Sequence, residues 1–290
     1  MDDIREKLIA LMHYPGISWS AVLQYIMRDP SLQMKPRYIQ QNLFSSTAHT
    51  NLPSTTFLQS EIIIEQIRQY EKNGIKAITI LDENYPSLLK EIYQPPWVLF
   101  AKGNLSLLAK QPKLAVVGSR QATQYGKSAI RLLFPPLVET GVVIVSGLAN
   151  GIDTLAHENA MKNGGDTIAV IAGGLNRIYP KENTELAREM MKTQLVVSEY
   201  PPNTKPERWH FPARNRIISG MSNGTFIIEA KRKSGSLITA NYAVNEGREV
   251  FSLPGSIFNP YSLGTNDLIQ QGAKPVMSSE DILDELRLYP

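Results

Sequence analysis

Six short, continuous apolar runs constrain the fold of this chain more than any other feature. The runs cover residues 115–117, 142–145, 167–171, 194–197, 225–228 and 249–253. Most of them are separated by segments that are long enough to form a helix. Apolar strands that alternate with helices are typical of a parallel sheet covered on both faces, so the sequence predicts an open, doubly wound α/β fold of about six strands.

The residues that directly follow these runs are the first candidates for a binding site. In an open α/β sheet, ligands bind at the carboxyl ends of the strands. We therefore expect the segments after the runs to lie together at one edge of the sheet. They are Gly118-Ser119-Arg120, Ser146-Gly147-Leu148, Gly173-Gly174-Leu175, Ser198-Glu199-Tyr200, Glu229 to Ser236, and Pro254-Gly255.

Positive charge is concentrated in one stretch of the chain. The 290 residues carry a formal net charge of only +3, whereas the stretch 205–233 has seven Lys or Arg and two Glu, a local charge of +5. Such a focused basic site indicates binding of phosphate or nucleic acid. The cations are Lys205, Arg208, Arg214, Arg216, Lys231, Arg232 and Lys233.

Two of these cations flank Asn215 at the predicted start of a helix. Cations there oppose the positive end of the helix dipole, at a cost of roughly 0.3–1 kcal/mol each unless an anion lies nearby. Because Arg214 and Arg216 are two positions apart, they cannot share one helix face. We expect one of them to face the ligand and the other to hold a neighbouring loop.

A second helix start is predicted at Ser234-Gly235-Ser236, directly after Lys231 and Lys233. Backbone N–H groups at a helix start favour phosphate, and the basic residues before this one favour an anion site. The alternative is that Ser234 serves as an N-cap and nothing more.

Other segments also have both a binding and a structural interpretation. Gly118-Ser119 forms either a plain tight turn or a phosphate turn, in which the Arg120 guanidinium clamps phosphate with two hydrogen bonds. Ser146-Gly147 provides either close packing, with Asp153 as a local cap, or amides that face a phosphate. For His157 we favour a structural role over a catalytic one.

A polar loop with aromatic residues precedes the arginines. It contains Lys205 together with Trp209, His210 and Phe211, and such interleaving is expected where bases stack. The alternative for Trp209 and Phe211 is a place in the hydrophobic core. Lys181 follows the third apolar run and either approaches the same sheet edge or is merely solvated.

The rest of the chain divides into three predicted parts. Residues 1–58 form a small helical domain that ends in the polar loop 45–56, residues 59–110 a connecting helix and lead-in segment, and residues 111–290 the sheet domain. The acidic tail 278–286 predicts an amphipathic helix. Its apolar strip either forms a dimer interface or packs on its own domain; the strip contains Ile282, Leu283 and Leu286.

Composition and motifs exclude several classes of protein. The chain has no cysteine, which rules out disulfides and thiolate metal sites. It has no run of about 18 apolar residues and no secretory signal pattern, so we expect a cytoplasmic protein without membrane insertion. No zinc-protease, nucleophile-elbow or Cys/His motif appears. Asp153, Glu199 and Glu229 are candidate acids, but the sequence pairs none of them with a nucleophile.

The motifs together resemble the DNA-processing protein A family (DprA, also called Smf). Similarity begins at the lead-in segment 81–104 and continues in order to residue 273. The matching segments are VVGSRQATQYG (116–126), SGLANGID (146–153), AGGLNRIYPKEN (172–183), SEYPP (198–202), FPARNRIISG (211–220), EAKRKSGSLITANYA (229–243), REVFSLPG (248–255) and GTNDLIQQGA (264–273).

The resemblance implies a binding protein rather than an enzyme. Members have an extended Rossmann-like core, dimerise, bind single-stranded DNA without a cofactor, and help to load the RecA recombinase onto incoming DNA during natural transformation. Single-strand-binding protein is a further candidate partner. The residues expected to contact DNA are Gly118, Ser119, Arg120, Ser146, Gly147, Lys181, Lys205, Phe211, Arg214, Asn215, Arg216, Lys231, Lys233, Ser234, Gly235 and Ser236.

Two departures and two alternatives accompany this resemblance. Many relatives carry a C-terminal winged-helix domain, which we do not expect in these 290 residues because few of them follow the predicted tail helix. The N-terminal helices resemble a SAM-like or helix-hairpin-helix extension. One alternative is a nucleotide-processing enzyme of the phosphoribohydrolase type, although its P-G-G-x-G-T-x-x-E loop is missing and Glu229 precedes the Ser-Gly-Ser loop. The other is a scaffold whose basic pocket senses a small anion.

Overall fold

The computed structural model describes residues 4–28, 57 and 60–287. Its strands are β1 Lys76–Thr79, β2 Val98–Gly103, β3 Lys113–Val117, β4 Val143–Ser146, β5 Thr167–Val170, β6 Leu195–Ser198, β7 Gly224–Ile227, β8 Glu249–Ser252 and β9 Lys274–Pro275. Its helices are α1 Ile4–Leu11, α2 Trp19–Arg28, α3 Glu61–Lys72, α4 Ser87–Lys90, α5 Gln124–Glu139, α6 Ile152–Lys162, α7 Thr184–Thr193, α8 His210–Gly220, α9 Gly235–Asn245, α10 Leu263–Gln270 and α11 Glu280–Leu286. Short 3₁₀ helices lie at Leu105–Leu108 and Lys181–Asn183.

The strands form one mixed, mostly parallel sheet. Its order is β1-β2-β6-β5-β4-β3-β7-β8-β9. The six predicted strands are β3 to β8, and every pair of neighbours among them is parallel. The prediction of a doubly wound α/β fold is therefore confirmed.

The sequence did not predict β2 or β9. The β2 strand pairs antiparallel with both β1 and β6, and so joins the lead-in segment to the sheet. Pro95 and Pro96 stand before the strand, where no ladder hydrogen bond is lost. The β9 strand has only two residues, too few for a detectable pattern.

Two hydrophobic cores lie on the two faces of the sheet, and alternating residues of β3 feed each of them. Ala115 and Val117 face the core that also holds the apolar residues of α1, α2, α8 and α9. Leu114 and Val116 face the second core, with α5, α6 and α11. In this second core the apolar strip of α11 packs on its own domain, as one of the two interpretations expected; the strip is Ile282, Leu283 and Leu286.

The N-terminal helices pack at the edge of the sheet that β1 and β2 form. Arg5 on α1 forms an ion pair with Asp82, Nε to Oδ1 at 3.1 Å, and donates a hydrogen bond to the Ala77 carbonyl. The Trp19 ring on α2 stacks on Trp97 with centroids 4.9 Å apart. The predicted loop 45–56 lies outside the described residues, and the three domain boundaries stay predictions.

The topology of the sheet reverses at β3. From β3 the chain winds outward through β4, β5 and β6 on one side, and then returns to place β7 and β8 on the other. In doubly wound folds, ligands bind in the crevice outside the carboxyl ends of the strands at such a switch point. The loops after β3 and β7 are therefore the elements that should build a site.

Candidate nucleic-acid interface

A cavity of about 420 Å³ lies at this switch point, and we call it the first cavity. The loop after β3, the α8 helix and the segment from the end of β7 into α9 form most of its wall. Its lining residues are Val117, Gly118, Ser119, Arg120, Gln121, Ala149, Asp153, Phe211, Pro212, Arg214, Asn215, Lys231, Lys233, Ser234, Gly235, Ser236, Ile238, Thr239 and Tyr261.

Positive charge dominates the first cavity. Four cationic side chains line it, and Asp153 is the one carboxylate in its described wall; the cations are Arg120, Arg214, Lys231 and Lys233. Arg120, Lys231 and Lys233 are exposed, so they can reach a ligand in the mouth of the cavity. A concave site lined by one sign of charge concentrates ligands of the opposite sign.

Two cations in the mouth lie over aromatic rings. The Arg120 guanidinium lies 5.7 Å from the centroid of the Phe211 ring, and Lys231 Nζ lies 4.6 Å from that of Tyr261. Cation–π contacts at exposed sites stabilise by about 0.5–1 kcal/mol, enough to orient a side chain while leaving its hydrogen-bond donors available. The mouth therefore presents cations and aromatic rings side by side.

Arg214 forms the floor of the cavity. It is 5% exposed, and its Nη1 donates a hydrogen bond to the Val170 carbonyl at 2.8 Å. The buried Asp153 provides the opposing charge: burial raises the pKa of its carboxyl, while the Arg214 charge and the Ala149 amide act in the opposite direction. This part of the site is a fixed, partly compensated positive centre.

The start of α9 supplies backbone donors to the same cavity. Ser234 is the N-cap, but its side chain makes no capping hydrogen bond and instead pairs with the Ser236 hydroxyl, Oγ to Oγ at 2.6 Å. The α8 side chain of Asn215 donates to the Gly235 carbonyl at 3.3 Å and ties this loop to α8. The first N–H groups of a helix favour an anion.

The chain matches the family described as DNA recombination-mediator protein A over residues 76–287. The chain belongs to this family. The DNA processing protein DprA of Bacillus subtilis (strain 168) is 46% identical over 276 residues, which cover 93% of this chain and 91% of that protein.

Solved structures of two family members have the same fold. DNA processing protein A from Streptococcus pneumoniae superimposes with a TM-score of 0.79 at 39% identity, covering 99% of both chains. The Helicobacter pylori protein, solved for its single-stranded DNA binding mode, gives a TM-score of 0.67 at 32% identity and covers 74% of this chain and 96% of that one. The predicted family is therefore confirmed.

The start of α8 differs from the prediction. The helix begins at His210, so Arg214 and Arg216 lie within it and not at its positive end. Pro212 argued against a helix that starts before it. A proline is nevertheless tolerated in the first turn, because the backbone N–H that it lacks would have no intrahelical partner there. The expected dipole cost for these arginines therefore does not apply.

The two arginines lie on different faces of α8, as their spacing predicts. Arg214 lines the first cavity, whereas Arg216 Nη2 contacts Glu199 Oε1 at 2.5 Å on the other side of the helix. Lys205 and Arg216 line a second, larger cavity there, of about 920 Å³. The predicted basic site is thus divided by α8.

Three further predicted residues do not line the first cavity. The Ser146 hydroxyl is buried and donates to the Val116 carbonyl at 2.6 Å. Gly147 lies against the Arg214 guanidinium, where a side chain would overlap it. Lys181 is exposed on the 3₁₀ helix after β5. The structure therefore gives Ser146 and Gly147 supporting positions beneath the floor.

Sequence reasoning missed Tyr261 and Gln121. The Tyr261 hydroxyl donates to Gln121 Oε1 at 2.6 Å, and the two residues connect opposite sides of the mouth. Tyr261 reaches the mouth because the Ala230 amide donates to its carbonyl and fixes the loop after β8. The expectation that ligands bind at strand ends selected only Pro254-Gly255 in this loop. Tyr261 lies further along the same loop and would be included if the whole loop were considered.

The candidate acids are held by specific partners. The Glu229 carboxylate is fully buried and accepts hydrogen bonds from the Thr123 amide, at 2.9 Å, and from the Thr123 hydroxyl.

The described part of the chain shows neither a metal site nor a membrane span. Across residues 4–28 and 60–287 no group of three or more His, Asp or Glu could hold a metal ion. No helix in the same ranges is both long and apolar enough to cross a bilayer.

His157 has a structural position. The Thr167 hydroxyl donates to the Ile144 carbonyl, so His157 Nδ1 donates to Thr167 Oγ1, at 2.7 Å. This leaves Nε2 as the unprotonated nitrogen. Burial, and then the nearby Arg214 charge, lower the pKa of the imidazole to about 3. His157 is therefore neutral in the folded protein at any physiological pH.

The substitution Gly147→Ala should displace Arg214, because the added methyl group overlaps its guanidinium. We expect a loss of about 1–3 kcal/mol in the free energy of unfolding, measured by urea denaturation. Gly235→Ala is the matched control: it lies in the same cavity wall and has open space around a new Cβ. Equal stability of the Gly147→Ala variant and wild type would contradict the packing described for Arg214.

His157 should make stability depend on acid. Its folded pKa is depressed, so the unfolded state binds more protons between pH 6.5 and about 3, and stability falls as pH is lowered through this window. Between pH 7 and about pH 5 this contribution is about 2 kcal/mol. In urea denaturation, His157→Gln should lose less stability over that interval than wild type does. An identical loss in both proteins would show that His157 titrates normally.

Proposed function

We propose that the protein binds single-stranded DNA in the first cavity and acts as a recombination mediator in the cytoplasm. In this proposal it protects incoming single strands and helps to load RecA onto them during natural transformation. It acts as a homodimer, with RecA as its main protein partner and single-strand-binding protein as a second one. These roles are consistent with its membership of the recombination-mediator family.

The observation that carries the proposal is the combination of cations and aromatic rings in one cavity mouth. Arg120, Lys231 and Lys233 would neutralise successive phosphates, and the N–H groups at the start of α9 would hold one of them. Phe211 and Tyr261 would stack bases. Phosphate and stacking contacts carry little base information, so we expect binding that is independent of sequence.

The geometry favours binding over catalysis. Glu229, the acid expected in the phosphoribohydrolase alternative, lies outside the lining of the first cavity and is engaged by Thr123. Asp153 does line the cavity, but it lies beside the buried Arg214 as an orienting partner. We therefore propose a protein that holds its ligand without transforming it.

Fluorescence anisotropy of labelled oligo-dT tests this function. If about three to four phosphates are neutralised, log affinity should fall with log salt at a slope of about −2 to −3. The Arg120→Ala/Lys231→Ala variant removes two of these contacts, so we expect a weaker affinity and a slope that is less steep by about 1.4. Duplex DNA should bind more weakly than the single strand.

The control variant is Arg131→Ala/Lys162→Ala. It removes the same charge from exposed positions on α5 and α6 that line neither cavity. It should leave affinity and salt slope close to those of wild type. Affinity that ignores salt, or an equal loss in both double variants, would contradict the phosphate-binding cavity.

A further inference from the structure

The α8 helix is a wall between two cavities. Its residues 211, 212, 214 and 215 line the first cavity, whereas 210, 213 and 216, together with the N-cap residue 209, line the second. Positions three and four apart share a helix face, so the two sets are the two sides of one helix. The N-terminal end of α8 is therefore the rim that both cavities have in common.

Aromatic residues from several separate parts of the chain line the second cavity. The turn between α1 and α2 contributes Tyr14, the first residue of α2 contributes Trp19, and the segment after β6 contributes Tyr200. His210 stacks on Tyr200 with ring centroids 3.8 Å apart, and Trp209 meets His210 edge-on at 4.0 Å. These rings form an apolar surface of the kind on which a planar ligand stacks.

The wall of the second cavity carries no excess charge. Arg216 is paired with Glu199, and the exposed Lys205 is matched by Glu207. His210 Nδ1 accepts a hydrogen bond from the Glu207 amide at 3.1 Å, and burial lowers the pKa of this imidazole. The first cavity suits phosphate, whereas this neutral, aromatic cavity suits an uncharged planar group such as a nucleobase.

Trp209 connects the two cavities. It is 62% exposed, which is unusual for the largest apolar side chain, and it precedes Phe211 of the first cavity by two residues. Two residues span at most about 7 Å of backbone, so a ligand that leaves Phe211 needs only a short step around the N-terminal end of α8 to reach Trp209. Lys205 and Arg208, both exposed beside Trp209, provide charge for the phosphates of that step.

We propose that the second cavity is a nucleobase subsite, reached by a single strand that leaves the first cavity over the N-terminal end of α8 and stacks a base on Trp209. This inference rests on the proposed function, because the strand must first be held by the cations of the first cavity. It assigns the turn between α1 and α2, through Tyr14, and the start of α2, through Trp19, to the DNA site.

Oligonucleotide length separates the two sites in an experiment. For wild type, affinity for oligo-dT between about 3 and about 15 nucleotides should rise in two steps, one for each site. Trp209→Ala should lower the affinity for the longer oligonucleotides by about tenfold, the effect of losing one stacked base. It should leave affinity for the shortest ones unchanged. Leu132→Ala, which removes a 71% exposed apolar side chain from α5, is the matched control.

Tryptophan fluorescence provides a second readout. Long oligonucleotides should quench the emission of wild type. Trp209→Phe should reduce this quenching but not remove it, because Trp19 and Trp97 also line the cavity, and it should retain affinity, because a ring remains. Unchanged affinity of Trp209→Ala at every length would overturn the subsite while the first cavity stands. Quenching by thymidine monophosphate alone would overturn it too, since it indicates a small-molecule pocket. Absence of oligonucleotide binding by wild type would overturn both proposals.

Discussion

The site depends on one topological constraint, the reversal of the sheet at β3. The β7 strand pairs with β3 on one side, and β4 pairs with β3 on the other. The loops that follow β3 and β7 therefore lie next to each other. The first brings Arg120 to the crevice and the second brings Lys231 and Lys233. Neither loop alone provides a concave cationic site. Strand order brings the two loops together, and the hydrogen bonds from Thr123 to Glu229 then join them.

The α8 helix then determines how the basic residues are used. Arg214 donates a hydrogen bond to the Val170 carbonyl and lies against Gly147, whereas Arg216 pairs with Glu199 on the opposite face. Each face therefore carries one cation with its own compensating partner. This arrangement leaves the exposed cations of the first cavity, and the exposed Trp209 of the second, as the groups available to a ligand.

Much of this architecture could be predicted, for physical reasons that also explain what could not. Strands β3 to β8 are buried on both faces, so each appears as a continuous apolar run, and the strand-end rule then selects their loops. The opposite faces of Arg214 and Arg216 follow from helical period alone. Which arginine faces which cavity depends on how α8 packs on the sheet, and the place of Tyr261 depends on a long-range hydrogen bond from Ala230. No local pattern in the sequence carries that information.

Hydrogen–deuterium exchange with and without oligo-dT, read peptide by peptide, tests the central claim most directly. Amides with ligand bonds exchange more slowly, because local opening must first release the ligand. We predict protection of residues 118–123 after β3 and residues 231–239 after β7. Protection confined to other surfaces, such as α10 or α11, with no change in these two loops, would contradict a DNA site at the switch point of the sheet.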